Sequence, residues 1–191
     1  KVMGGFQSEW FRQRNMKAQQ NGIMSGLPTL DTTTTKPSVG GAYNSWTTAG
    51  FFGRINYDFA GRYLFEANLR YDGSSRFLRE NRWNFFPSFS AGWNIAREKF
   101  WEPLTDYVNT LKLRASWGQL GNQEALSDYY PAINTYSINA KYAFDGKVTS
   151  GYYQSSYKIN TITWEKATTW GVGVDLGFLD NKITASVDYY N

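Results

Sequence analysis

FFGRINYDFAGRYLFEANLRYD, residues 51–72, reads with a period of two. Phe51, Gly53, Ile55, Tyr57 and Phe59 share one parity, and Phe52, Arg54, Asn56 and Asp58 share the other. Ala60-Gly61-Arg62 reverses the chain. Tyr63, Phe65, Ala67, Leu69 and Tyr71 then alternate with Glu66, Asn68, Arg70 and Asp72, with Leu64 the one exception. Successive side chains of a strand point to opposite faces, so the stretch predicts a hairpin of two half-buried strands. Each strand has about ten residues, where a globular strand has about five or six. A tilted strand crossing a bilayer needs roughly 9–11. Aromatics crowd the strand ends, with Tyr57, Phe59, Tyr63 and Phe65 around the turn and Tyr71 at the far end. Interfacial girdles of a transmembrane β-barrel sit at those positions.

The same period recurs outward from this hairpin. Val2, Phe6 and Trp10 fall on one parity and predict the end of a strand. Phe85, Pro87, Phe89, Ala91, Trp93 and Ile95 alternate with Phe86, Ser88, Ser90, Gly92, Asn94 and Ala96. Pro87 cannot donate to a ladder, which places it near a strand start or a bulge. Leu111, Leu113, Ala115 and Trp117 alternate with Lys112, Arg114, Ser116 and Gly118. Trp170, Val172, Val174, Leu176 and Phe178 precede the turn Leu179–Lys182, after which Ile183, Ala185, Val187 and Tyr189 resume the pattern.

Between these strands the spacing predicts loops. Residues 60–61, 97–109 and 179–182 form the shorter set, with an aromatic anchor expected within 97–109 and room for a single helical turn at 98–104. Residues 11–46, with the run Thr32–Thr35, then 73–84 and 121–163 form the longer set; a short hairpin is expected near 140–158. Short turns at one end and long loops at the other is the up-and-down pattern of outer-membrane barrels. The count is seven strands, whereas a bacterial single-chain barrel has an even number of at least about eight. Both ends stop in or beside strands, so the expectation is a piece of a larger barrel.

Composition agrees. Of 191 residues, 41% are hydrophobic and 18% aromatic, with 14 Tyr, 13 Phe and 8 Trp. The mean hydropathy of −0.54 does not count against a barrel, because only alternate residues meet lipid. No run approaches the roughly 18 apolar residues of a transmembrane helix. No signal peptide is visible after Lys1, so an exported protein would be represented by an internal piece. The net charge of +4 is scattered, and nucleic acid is not an expected partner. Without Cys or His there is no disulfide framework, no Ser-His or Cys-His pair and no imidazole metal ligand.

Four blocks, GRINYDFAGRYLFEANLRYDGSSRF (53–77), RWNFFPSFSAGWNIAREKFW (82–101), LKLRASWGQLGNQ (111–123) and TWEKATTWGVGVDLGFLDNKITASVDYYN (163–191), resemble barrel segments of SusC-like TonB-dependent outer-membrane transporters. The resemblance covers about two-thirds of the chain, in the family's order, and leaves out 11–46 and 124–160. It implies a barrel of about 22 strands filled by an N-terminal plug, with residues 1–191 one part of the barrel domain. It also implies a SusD-like surface lipoprotein as lid, a TonB energy-coupling complex acting on the plug, and import of a glycan or peptide. The setting would be the outer membrane of a Gram-negative bacterium, in contact with lipid and lipopolysaccharide. Plug and TonB box are absent from these residues.

Candidate chemistry weighs against an enzyme. Gly171-Val-Gly173-Val-Asp-Leu-Gly177 superficially resembles a nucleotide-binding loop, but it lies in a strand with no helix after it. Small residues facing the lumen account for it better. Asp58, Glu66, Asp72, Glu165, Asp175 and Asp188 sit mostly at lumen parity beside Arg54, Arg70, Lys112 and Arg114, and predict a solvated charge lattice. Arg54, Glu66, Arg70, Asp72, Arg114 and Asp175 are the residues expected to face the lumen. No calcium-loop spacing, catalytic set or cofactor motif is present. Flat aromatic faces stack on sugars or pack partner proteins, which makes Trp46, Trp83, Tyr129, Tyr130, Tyr152 and Tyr153 the candidates for solute or lid contact. Girdle positions and internal loop packing are the alternative for the same rings. A passive porin or structural outer-membrane barrel, or else a soluble carbohydrate-binding β-sandwich, would be the competing functions.

Overall fold

The computed structural model describes residues 1–22, 26, 35–124 and 128–191, so Thr32–Thr34 lie outside the described residues. Among the described residues nine strands form: β1 (Val2–Gln19), β2 (Ser38–Phe59), β3 (Tyr63–Ser74), β4 (Trp83–Asn94), β5 (Val108–Asn122), β6 (Tyr136–Phe144), β7 (Lys147–Gln154), β8 (Glu165–Phe178) and β9 (Ile183–Tyr190). Seven of them make one sheet in the order β1-β2-β3-β4-β5-β8-β9. Every pairing is antiparallel. β6 and β7 form a separate hairpin inserted between β5 and β8.

Register turns the period-two pattern into two faces. Tyr57 pairs with Phe65 and Phe65 with Ala91. Ala91 then pairs with Ala115, Ala115 with Val172 and Val172 with Tyr189. The next row toward the short turns runs Phe59, Tyr63, Trp93, Leu113, Val174 and Val187. Apolar side chains thus line up across the sheet on one face, and Arg54, Asn68, Ser88 and Gly118 line up on the other. Aromatic rows bound the apolar face at both ends. Tyr63 stacks on Phe59 and on Trp93 near the short turns, and Trp83 stacks on Tyr71 and Phe51 near the long loops.

The turns follow from local backbone demands. Asp145 and Gly146 both take positive φ, the two-residue hairpin geometry that Asp-Gly favours. At the β2–β3 turn, Ala60 and Gly61 are left-handed, and the Asp58 carboxylate accepts the Gly61 N–H at 2.7 Å. Lys99–Leu104 is a 3-10 helix at the place where a helical turn is expected.

One expectation needs correction. Half of 11–46 is strand, not loop: Phe11 pairs with Trp46 and Gln19 with Ser38, leaving residues 20–37 to connect β1 and β2. β5 and β8 likewise run on to Asn122 and from Glu165. These extensions carry Arg12, Gln13, Arg14, Asn15 and Asn44, polar on both faces, so no alternation marks them. Ladder hydrogen bonds hold the backbone there whatever the side chains are.

The chain exposes 14347 Å² at 21.9 kDa, where a compact monomer of that mass exposes roughly 9,300 Å². A sandwich would bury one face of each strand against a second sheet, and among the described residues Phe51, Ile55, Phe65, Leu69, Val172 and Val187 all stay exposed. The apolar face is built to be covered by something outside this chain.

Replacing Leu69 with Arg should destabilise an assembled barrel by about 2–4 kcal/mol, the cost of a cation in mid-bilayer. Thr184→Arg, on the polar face, should be nearly silent. Denaturant titration of the refolded full-length barrel measures both, and equal costs on the two faces would refute this assignment.

Candidate functional site

The polar face is the concave one, and a cleft of about 1020 Å³ follows it, lined by Asn56, Asp58, Glu66, Ser90, Lys112 and Arg114 among others. Its charges are largely paired. Arg70 grips Asp72 two residues along the same strand through two contacts, at 2.9 and 3.0 Å. Arg54 donates to Asn68 and lies 3.7 Å from Glu66. Arg114 on β5 reaches across β8 to β9. It holds both oxygens of Asp175 at 2.8 and 2.9 Å, Ser186 at 3.2 Å and Asp188 at 2.9 Å. Gly173 makes the reach possible, since a Cβ there would collide with Asp188; on β2, Gly50 in the same way leaves room for Asp72. All six residues expected at lumen parity stand on this face.

Toward the long loops the cleft acquires a roof. The β5–β8 excursion folds back and is fixed at both ends. At its start the Arg76 guanidinium, itself buried, donates to the backbone carbonyls of Tyr129 (3.2 Å) and Asp128 (3.0 Å). The Tyr129 hydroxyl donates to Gln13 at 2.8 Å, and the Tyr130 hydroxyl to the Ser45 carbonyl. Phe11 stacks between Trp46 and Tyr129, with centroids at 5.3 and 6.3 Å. At the other end Trp164 is buried against Phe77 and Phe86, with Ile162 beside them, and its indole N–H donates to the Arg82 carbonyl at 2.8 Å. The 3-10 turn Arg79–Asn81 joins in: the Asn81 side chain donates to the Asn160 carbonyl and Thr163 to the Asn81 carbonyl, both at 3.0 Å.

The candidate aromatics separate into three places. Trp46, Tyr129 and Tyr130 meet in the roof, with Trp46 only 9% exposed. Tyr152 (72% exposed) and Tyr153 (50%) stand on the β6–β7 hairpin, where Tyr152 meets Tyr136 edge-on. Trp83 is on the opposite, apolar face, stacked on Tyr71 at 5.1 Å, and does not join the others. Sequence reasoning missed Phe11, Gln13, Arg76 and Phe77 in stretches read as loops. One signal pointed to the roof: Phe86 is an aromatic at lumen parity, an interruption of the alternation that needs burial to explain it.

At the short-turn end a carboxylate organises the rim. Glu98 accepts the Trp93 indole N–H at 3.1 Å and Arg62 Nη1 at 3.4 Å, and the Tyr63 hydroxyl bonds to it as well. The hydrogen bonds from Tyr63 and then Trp93, with the nearby Arg62 charge, hold its carboxyl below the usual glutamate value.

A seven-stranded antiparallel sheet with an aromatic-edged apolar face, a charged concave face and its two tightest turns at one end is a segment of an outer-membrane-type β-barrel wall. A family model described as TonB dependent receptor-like, beta-barrel, matches residues 2–191, and the chain belongs to that family. TonB-dependent receptor SusC from Bacteroides thetaiotaomicron is 40% identical over 147 residues, covering 75% of this chain and 14% of that protein. TonB-dependent receptor P3 from Formosa agariphila is 34% identical over 152 residues, covering 77% and 14%. The solved structure of the RagAB peptide transporter shares the fold, with a TM-score of 0.78 at 24% identity over 99% of this chain and 21% of its own. The chain therefore spans 14% of the length of these curated relatives.

Trp164→Ala should cost about 3–5 kcal/mol, the usual price of truncating a buried Trp, and free the excursion it anchors. Limited proteolysis of the folded barrel should then cut within 123–163, as it should in Arg76→Ala; an uncut excursion in both variants would show that these side chains do not hold it. Because the Glu98 carboxyl titrates lower in the folded protein, its stabilisation is present above the ordinary glutamate pKa of about 4.3 and lost as pH falls through the folded value. Thermal unfolding from pH 7 down to 3 should show a smaller acid loss for Glu98→Gln than for the parent; parallel curves would refute the clasp.

Proposed function

We propose that this chain is part of the barrel wall of a TonB-dependent importer in the outer membrane of a Gram-negative bacterium. It works by gated passage, not covalent chemistry, and takes up a glycan or peptide nutrient. The observation that carries this reading is the two-faced wall: lipid-facing apolar rows on the convex side, a paired-charge lattice around water on the concave side, matched by the receptor family along its length. The whole barrel has about 22 strands, and its plug and TonB box lie elsewhere in the polypeptide. The short turns are periplasmic and the long loops external.

A SusD-like lipoprotein lid closes over the external mouth in this reading, supported by the likeness to SusC and RagAB. Tyr152 and Tyr153, exposed on a hairpin whose base is fixed by the roof, are the side chains offered to lid or solute. Trp46, Tyr129 and Tyr130 shape the mouth beneath, and Trp83 serves the external girdle.

Uptake of the cognate nutrient by cells carrying the full-length protein should collapse when TonB is deleted. Undiminished uptake would make the barrel a passive porin instead. In the same cells the double variant Tyr152→Ala, Tyr153→Ala should lower uptake or lid retention roughly tenfold, as loss of an exposed aromatic hot spot does, with barrel assembly unchanged.

A further inference from the structure

The alternating band does not account for all the apolar surface at the short-turn end. Along the 3-10 helix Lys99–Leu104 and the turn after it, Phe100 (64%), Leu104 (46%) and Tyr107 (70%) stand exposed. Leu179 of the β8–β9 turn is exposed next to them, its N–H donating to the Tyr107 carbonyl at 3.3 Å. This is not a loose loop. Trp101 donates to the Val108 carbonyl at 3.1 Å and Asn109 to the Thr105 carbonyl at 2.7 Å. The Asn181 N–H reaches Asn109 at 3.3 Å. At the other end Glu98 takes the Trp93 indole N–H, and Trp93 belongs to the last apolar row, stacked on Tyr63. The segment is therefore held at the rim, and through Glu98 it is tied to the last apolar row.

We propose that residues 99–107, together with Leu179, form an interfacial foot that lies in the headgroup layer of the adjoining phospholipid leaflet. The inference rests on the membrane reading above. Its occupant follows from the chemistry. Apolar side chains beside Trp and Tyr favour the headgroup–acyl boundary, where an interfacial segment buries its apolar side by about 5–10 Å. Exposed Lys99 is matched by exposed Glu102 and Asp106, which disfavours attraction to an anionic surface and suits zwitterionic lipid. The foot's own 3-10 hydrogen bonds, Trp101 N–H to the Glu98 carbonyl (3.0 Å) and Thr105 N–H to the Glu102 carbonyl (3.3 Å), pair backbone groups that lipid cannot.

The test uses the full-length protein with single cysteines carrying a polarity-sensitive fluorophore at Phe100→Cys, Leu104→Cys, Leu69→Cys and Tyr152→Cys; residues 1–191 contain no native cysteine. Each is reconstituted into phosphatidylethanolamine-rich vesicles with and without brominated acyl chains. Labels at 69, 100 and 104 should be quenched by the brominated lipid several-fold more than the label at 152. Quenching at 69 but not at 100 or 104 overturns the foot and leaves the barrel standing, as does shielding of 100 and 104 by a bound protein. Absence of quenching at 69 in correctly assembled, heat-modifiable protein overturns the membrane reading, and the foot with it.

Discussion

In the proposed setting, with lipid on one side of the wall and water on the other, backbone hydrogen bonds have only one place to go. A strand bordered by hydrocarbon must satisfy its N–H and C=O groups from its neighbours, since lipid offers no partner. Seven antiparallel strands in unbroken order achieve that, and the rest of the molecule depends on it. Once the ladders are fixed, every second side chain faces outward, and the aromatic rows at each end mark how much of the wall lies between them.

The concave side answers a different constraint. Charges there are partly wet, so isolated ion pairs contribute little to stability. Their arrangement matters more than their number. Arg114 sits opposite Gly173 and ties three strands through Asp175, Ser186 and Asp188, where a residue with a Cβ would force Asp188 away. Of the glycines that superficially resemble a nucleotide loop, Gly173 is the clearance for this guanidinium.

At the mouth, burial returns. Phe77, Phe86 and Trp164 make one small core and Phe11, Trp46 and Tyr129 one stack, so the excursion between β5 and β8 is anchored instead of free. The β6–β7 hairpin inherits a fixed base from these contacts. A two-stranded hairpin is marginal alone in water, and the anchoring gives its exposed tyrosines a defined address above the lumen. The proposed importer needs that arrangement if its external loops are to meet a lid in a repeatable way.

The sequence by itself determined the alternation, the strand axis of the wall, the sorting of short and long connections and the parity of Arg54, Glu66, Arg70, Asp72, Arg114 and Asp175. Each is a local property: side chains two residues apart share a face, and that holds before any strand finds its partner. Where both faces are polar, as in Arg12–Asn15 and Tyr43–Ser45, the signal vanished and strand was read as loop. The roof and the rim clasp were decided only by tertiary structure. Tyr129 meets Gln13 across 116 residues of sequence and Trp164 meets Arg82 across 82. Glu98 collects its donors from two different strands only because register brings Tyr63 beside Trp93. Contacts of that range depend on which strands pair and in what register, and no short-range periodicity encodes them.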